Sequence, residues 1–351
     1  MTATAVLPAY RVATPVLERV RGDLVGTLLG VSATAAWVDL GGFVVAVTTR
    51  EVPLLPNAVG LSAGAGALGG GLRPGGAVRC SPGRVEVGGL RVVWDPADPP
   101  GWDPAVRVGV GEGRSGPHPP SANYSRSGET PTGTACHSPP SSGRAGGAPD
   151  EAAEISTGPV VGAVEVGRRG AAVLAASGVL AAREPREVVR GLTAVGVATV
   201  AEPEGAVGVE LLLRAVLEGD AGVGAEAADL LLGRGPGLTP EGDDLLAAVA
   251  GTLVVLGPVV GLDRAVLGEL VGALVNARGR TTALAATLLE LAGRGLLAEP
   301  AGRLLDLSAK GERGWPSALR RLERVGHGSG RAYALGIGAA ARMLAAVGGV
   351  G

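Results

Sequence analysis

The stretch GRGPGLTPEGDDLLAAVAG, residues 233–251, predicts local structure more clearly than any other part of the sequence. Three glycines and a proline among its first five residues predict a tight, irregular loop. Thr239 stands where a helix N-cap is expected and Pro240 where the first helical residue is expected. Asp243 and Asp244 follow in the opening turns, and an uninterrupted apolar run comes after them. The stretch therefore predicts a glycine-rich loop that leads into a buried helix.

This loop and helix start suit two chemistries. Exposed backbone N–H groups at a helix N-terminus, with Arg234 nearby, can hold a phosphate or a carboxylate. Adjacent carboxylates such as Asp243 and Asp244 repel anions unless a hard cation such as Mg²⁺ lies between them. In a purely structural interpretation, Thr239 caps the helix, the glycines turn the chain and the acids complement the helix dipole. The residues by themselves leave these interpretations open.

A second glycine-rich loop, GHGSG at residues 326–330, also leads into a predicted helix. His327 is flanked by glycines and followed by Ser329, so it is a candidate general acid or a neutral donor to a carbonyl oxygen. The structural alternative is a hydrogen-bonded histidine at a helix start. A Ser-His-Asp triad of Ser329, His327 and Asp243 or Asp244 is disfavoured, because no nucleophile-elbow sequence surrounds Ser329.

The two loops together resemble the signature of a known family. Residues 235–240, GPGLTP, followed by GDD at residues 242–244 and by the GHGSG element, closely resemble a family known mainly as a domain of unknown function. Its best-described, AllH-like members are a subunit of the oxamate carbamoyltransferase of anaerobic allantoin breakdown. Weaker family elements are Thr281-Thr282 and Pro56-Asn57.

Three positions depart from the family pattern. Arg234 stands where an apolar residue is usual, and Glu241 stands where the family often has serine. Ala332 lies two residues after the last glycine of the second loop, where the pattern often has an aspartate. If that aspartate is catalytic in the family, this chain lacks it.

The repeated loop-to-helix pattern and the resemblance together predict one site. We expect three helix N-termini, those after Gly237, Arg280 and Gly330, to converge on one pocket. The predicted catalytic residues are His327, Asp243 and Asp244, of which the two aspartates are also the predicted Mg²⁺ ligands. The predicted substrate-binding residues are Gly235, Gly237, Thr239, Arg280, Thr281, Thr282, Gly328 and Ser329. This set suits a small anionic, carbamoyl-bearing molecule such as carbamoyl phosphate or oxalurate.

The resemblance implies a subunit of a carbamoyltransferase-type enzyme that acts on small carbamoylated acids in purine or pyrimidine nitrogen catabolism. It also implies other protein subunits in a heteromeric complex. The alternative is a non-catalytic metabolite-binding or scaffold subunit of such a complex. A Mg²⁺-dependent phosphate-ester enzyme rests on the aspartate pair alone and is the weakest hypothesis.

Composition bears on whether the protein binds nucleic acid or a membrane and on where in the cell it is found. A net charge of −2 and a pI near 6.0 provide no basic field for nucleic acid. Cys80 and Cys136 lie far apart and match no metal spacing, which favours a reducing cytoplasm. The first ten residues lack the basic start and apolar core of a signal peptide. Residues 245–262 are uncharged but are interrupted by Gly257-Pro258, so they predict a buried core helix rather than a membrane span.

The predicted fold class is α+β. Residues 1–98 are predicted to form a small antiparallel β barrel or sandwich, because residues 36–48 read as a hairpin and residues 78–94 as a meander. Residues 99–158 are rich in Gly, Pro and Ser and predict a disordered insertion. Residues 159–351 predict an α-helical domain that carries both motifs. Within residues 1–23 only a short helix after Pro15 is predicted. Helices in the C-terminal half are predicted at residues 187–195, 207–217, 225–232, 264–277, 283–292, 317–325 and 331–347. Thr281 or Thr282 is expected to cap the helix at residues 283–292.

Overall fold

The computed structural model describes residues 5–68, 71–106, 203–309 and 314–347. These residues form an N-terminal β barrel and a C-terminal helical region, which belong to one compact unit. The α+β fold class predicted from the sequence is therefore confirmed. The predicted helix at residues 187–195 lies outside the described residues.

Eight strands close the barrel in the order β5-β4-β3-β2-β6-β7-β8-β1, with β1 pairing back onto β5. A short ninth strand pairs with β1 outside the ring. Alternate residues of the strands fill the interior, where Val45, Val47 and Val59 are fully buried. The strands are β1 (Ala5–Ala13), β2 (Leu24–Val31), β3 (Ala35–Asp39), β4 (Val44–Thr48), β5 (Ala58–Leu61), β6 (Ala77–Ser81), β7 (Arg84–Val87), β8 (Leu90–Val93) and β9 (Gly101–Trp102).

The barrel is mixed rather than wholly antiparallel. The hairpin β3–β4 and the meander β6–β8 are antiparallel, as predicted. Strand β1 instead runs parallel to β8, and β4 runs parallel to β5. Strand β1 is not predicted from the sequence, because Pro8 and Tyr10 interrupt its apolar alternation and the pattern indicates only the helix after Pro15. That helix, α1 (Thr14–Arg19), follows β1 directly.

The helical region contains eight α-helices among the described residues. They are α2 (Pro203–Glu218), α3 (Ala221–Leu231), α4 (Glu241–Leu256), α5 (Arg264–Val275), α6 (Ala283–Ala292), α7 (Glu299–Ala309), α8 (Trp315–Leu322) and α9 (Ser329–Val347). Helix α7 was not predicted, because Pro300 and Gly302 weaken its helical pattern. The other seven lie where the sequence predicts helices.

Helix α4 is the centre of the helical core. Every residue from Gly242 to Leu253 is buried. Residues 241–260 are long and apolar enough to cross a membrane, yet 72% of the most apolar window is buried inside the protein. This burial agrees with the core helix predicted from the sequence. Helix α9 packs closely along α4, with Gly336 against the backbone of Leu245.

The residues that follow strand β8 pair with both the barrel and the helical region. Strand β9 pairs with β1, and Ala105 forms a bridge with Leu296 of the helical region. These residues fall at the start of the predicted insertion, 99–158, and most of that insertion lies outside the described residues. The limits predicted for the domains, at residues 98 and 159, therefore stay predictions.

A short hydrogen-bond path joins the barrel to helix α6. The fully buried Asn57 donates through Nδ2 to the Val44 carbonyl over 2.7 Å. The Val44 N–H donates to Thr287 Oγ1 over 3.0 Å, and that hydroxyl donates to the Ala283 carbonyl over 2.9 Å. Leu284 packs beside Val44. Strand β4 is thus fixed to the first turn of α6.

We expect Asn57→Ala to lower the free energy of unfolding by about 1–3 kcal/mol, because the buried Val44 carbonyl loses its side-chain donor. Urea unfolding followed by circular dichroism measures the change. Thr48→Val is the matched control, since the buried Thr48 hydroxyl bonds to none of the described residues and its loss is expected to be neutral or stabilising. Equal stability of the two variants would contradict the proposed path.

Candidate functional site

The glycine-rich loop between α3 and α4 is exposed and tightly turned. Residues 233–238 are all solvent-exposed. Gly233, Gly235 and Gly237 have φ values of 72°, 110° and 97°, a region that other residues rarely adopt. The Gly242 N–H donates to the Arg234 carbonyl over 3.0 Å, which closes the loop onto the start of α4.

Thr239 does not cap α4, and this prediction was wrong. The N-cap is Pro240, whose extended backbone leaves no side-chain cap, and the N–H groups of Asp243 and Asp244 bond to the Pro240 carbonyl. The Thr239 hydroxyl is therefore available elsewhere. It lies 3.0 Å from the Ser329 hydroxyl, and this contact joins the two glycine-rich motifs.

Asp243 holds two neighbouring segments in place. Its carboxylate is 1% exposed and accepts from the Gly233 N–H over 2.8 Å and from the Thr281 hydroxyl. Burial raises the pKa of Asp243, and these two hydrogen bonds act in the opposite direction. Asp243 thereby ties α4 both to its own loop and to the residues before α6.

Asp244 is also buried, but fewer hydrogen bonds compensate the burial of its carboxylate. Asp244 is 3% exposed, and its Oδ2 atom has no hydrogen-bond partner among the described residues. Burial raises the pKa of Asp244 to about 7, and the charges of Asp243 and Glu241 act in the same direction. The Ser329 and Thr239 hydroxyls lower this pKa. This pKa places the change of charge of Asp244 near neutral pH.

Tyr333 is a member of the site that the sequence analysis missed. It is buried on α9, one turn after Ser329, and the charge of Asp244 adds to burial in raising its pKa. The spacing of four residues from Ser329 was the available signal, because residues i and i+4 share a helix face.

The N-terminus of α6 contacts the first motif. Thr282 caps α6 by accepting from the Ala285 N–H over 3.1 Å, as predicted for one of the two threonines. Its hydroxyl also donates to the Leu238 carbonyl over 2.5 Å. Together with the Thr281–Asp243 bond, this contact brings the start of α6 against the loop before α4.

Arg280, predicted as a cationic substrate ligand, forms its described contacts with residues other than the two motif aspartates. Its guanidinium pairs with Asp229 and donates to the Asn276 carbonyl over 3.0 Å. Among the described residues, no ion pair joins Arg280 to Asp243 or Asp244. A role for Arg280 in binding substrate stays a prediction.

His327 lies exposed in the second loop. No described residue forms a hydrogen bond or ion pair with its imidazole, which leaves the ring open to solvent. Next to it, the Glu241 carboxylate lies against Gly328, where a Cβ would be 2.4 Å from Oε1. Ala332 is buried in α9 and supplies no carboxylate in the first turn.

The described residues offer only a partial metal site. They contain no group of three His, Cys, Asp or Glu residues placed to share a metal ion. Mg²⁺ commonly binds through one or two carboxylates and keeps several waters. Binding of Mg²⁺ by Asp243 and Asp244 therefore stays a prediction that requires oxygens from water or substrate.

The starts of α4, α6 and α9 thus meet through three contacts: Thr239 with Ser329, Thr281 with Asp243, and Thr282 with Leu238. The roles predicted for Gly235, Gly237 and Gly328 in substrate binding stay predictions. So do the catalytic roles predicted for His327 and the two aspartates.

Comparison with known families supports the resemblance predicted from the two motifs. Residues 231–341 match the family model described as oxamate carbamoyltransferase subunit AllH. The match begins at the end of α3 and ends within α9, so it includes the whole site described above. No curated protein and no solved structure matches the chain.

Proposed function

We propose that the protein is a subunit of a carbamoyltransferase-type enzyme that acts on oxamate, oxalurate and carbamoyl phosphate or on close analogues. The observation that carries this proposal is the joining of both family motifs by the Thr239–Ser329 contact beside a buried carboxyl group. The family match at residues 231–341 supplies the reaction class. A cytoplasmic location and further subunits in a heteromeric complex are part of the proposal.

In the synthetic direction, the amide nitrogen of oxamate attacks the carbamoyl carbon of carbamoyl phosphate. A nitrogen–carbon bond forms and the carbon–oxygen bond to phosphate breaks. The nitrogen loses a proton, which the released phosphate takes up to leave as hydrogen phosphate. His327 is open to solvent beside the site and is suited to donate a hydrogen bond to the carbamoyl oxygen. Asp243 and Asp244 complete the proposed catalytic group.

A non-catalytic subunit is the second candidate, and one observation favours it. Several motif side chains already have partners within the protein: Thr239 contacts Ser329, Thr282 donates to the Leu238 carbonyl, and Arg280 is paired with Asp229. Such a subunit would bind a metabolite or hold the complex together without acting on substrate. It would retain the same loops and would not depend on His327.

Phosphate release from carbamoyl phosphate and oxamate, measured with the complex assembled from its subunits, separates the two candidates. We expect His327→Ala to lower kcat by roughly 10²-fold, the usual scale of a lost proton-transfer or donor group. Glu226→Gln, at an exposed position on α3, is the matched control and is expected to retain the wild-type rate.

Two further outcomes have defined meanings. Loss of activity with EDTA and recovery with Mg²⁺ would assign the two aspartates to a metal ion rather than to direct contact with the substrate. Full activity of the His327→Ala complex, with both proteins folded, would contradict the catalytic proposal and favour the scaffold.

A further inference from the structure

The acidic residues at the start of α4 indicate which end of a ligand binds there. We propose that Asp244 binds the N–H face of a primary amide or ureido group, with the ligand's anionic end directed away from α4 toward the exposed loop and His327. This inference rests on the proposed function, and it adds the orientation of the substrate and the residue that selects it.

The first argument is the charge around the start of α4. Glu241, Asp243 and Asp244 lie within its first turn. Among the described residues, no ion pair with Lys, Arg or His involves any of them, since the nearby Arg280 pairs with Asp229. A ligand carboxylate or phosphate placed beside these groups would meet negative charge that no described ion pair offsets, since Arg234, the basic residue of the adjoining loop, is solvent-exposed. The anionic end of a ligand is therefore disfavoured next to the three carboxylates.

The second argument is the hydrogen-bond capacity of Asp244. Asp243 already accepts from Gly233 and Thr281, whereas no residue in the described part of the chain bonds to the Oδ2 atom of the almost fully buried Asp244. The Ser329 and Thr239 hydroxyls have two protons between them, and their mutual bond uses one. At most one hydroxyl proton remains for a carboxylate that can accept about four hydrogen bonds. Asp244 therefore lacks donors, and an unpaired buried acceptor is unfavourable.

The third argument concerns what can supply the missing donors. The described residues contain no third His, Cys, Asp or Glu placed to complete a metal site with this pair. The NH₂ group of an amide or ureido ligand is planar, has two donors and brings no negative charge. It meets both requirements of Asp244.

Oxamate and oxalate are the matched probes, because they differ only in the replacement of an amide NH₂ by a carboxylate oxygen. Calorimetry on the full chain, alone and in its complex, gives their dissociation constants. We expect oxamate to bind roughly tenfold or more tightly than oxalate, which corresponds to one hydrogen bond to a charged acceptor. Neutral oxamide is expected to show measurable binding, since it retains the amide.

The variant Asp244→Asn is expected to reduce the preference for oxamate to near unity. Thr252→Val is the matched control, because Thr252 is a buried residue of α4 with an unpartnered hydroxyl two turns beyond Asp244. It should retain the wild-type preference. If the Asn variant does not fold, the comparison of oxamate, oxalate and oxamide on the wild-type protein still decides the question.

Equal or tighter binding of oxalate would overturn the inference. If the complex nevertheless transfers carbamoyl groups, the proposed function stands and only the assigned orientation fails. Absence of oxamate binding by a folded, inactive complex would overturn both. An unchanged oxamate preference in Asp244→Asn would assign amide recognition to another residue and contradict the role of Asp244.

Discussion

Replacing Asp244 by asparagine is expected to stabilise the folded protein at about pH 8 by up to roughly 4 kcal/mol, since about three pKa units separate the two states. The pKa of this buried carboxyl is raised from 3.8 to about 7. A folded-state pKa above the unfolded value means that the folded state binds the proton more tightly. The stabilising contribution of that proton is complete below the unfolded pKa and is lost as the pH rises through the folded pKa.

The measurement is the free energy of unfolding as a function of pH. The wild-type value should fall between about pH 4 and about pH 8, whereas the Asp244→Asn profile should fall less. Some slope remains in the variant, because burial also raises the pKa of Asp243. Glu226→Gln, at an exposed position, should follow the wild-type profile. A variant that is less stable than wild type at the alkaline end of this range would contradict the cost assigned to the Asp244 charge.

The second large effect is expected at the crossing of α4 and α9. A Cβ on Gly336 would lie 2.5 Å from the Leu245 carbonyl oxygen and 2.7 Å from the Ala248 Cβ. Gly336→Ala must therefore push the two helices apart, at an expected cost of about 3 kcal/mol. Because the helices carry one motif each, the contact between Thr239 and Ser329 should weaken as well.

Gly272→Ala is the control for helix propensity. Gly272 lies on an exposed face of α5, and nothing stands within 4 Å of a Cβ there. This substitution is expected to stabilise the protein by about 0.5–1 kcal/mol, because alanine favours a helix over glycine. Chemical unfolding of both variants gives the two free energies. A stable Gly336→Ala protein with wild-type oxamate affinity would show that the close crossing is not needed for the site.

The sequence was most informative where local chemistry decides the structure. The Gly41-Gly42 hairpin, the meander at β6–β8 and the helix after the GDD segment follow from turn residues and apolar patterns that need no distant partner. Thr282 as the cap of α6 belongs to the same class.

The remaining features depend on contacts between distant segments. Strand β1 is a strand because β8 and β5 flank it, although Pro8 and Tyr10 disrupt its pattern. Thr239 follows the rule for an N-cap, yet its hydroxyl is directed to Ser329, ninety residues away. Local sequence patterns do not reveal contacts between distant segments, which only the structure shows.

The candidate site shows the same division. The motifs indicated Asp243, Asp244, Thr281 and Ser329, and the structure brings these residues close to one another. It was the structure that distinguished the two aspartates, one held by Gly233 and Thr281 and the other buried with a free oxygen. It also paired Arg280 with Asp229, a contact that a charge count does not reveal.

A crystal structure of the full chain with bound oxamate tests most directly whether the two motif loops form one ligand site. The account predicts that the amide nitrogen lies about 3 Å from a carboxylate oxygen of Asp244, a normal hydrogen-bond distance. It also predicts that the carboxylate end lies between the loop at residues 233–238 and His327. Oxamate bound elsewhere, or an empty site at a concentration that saturates binding in solution, would contradict the account.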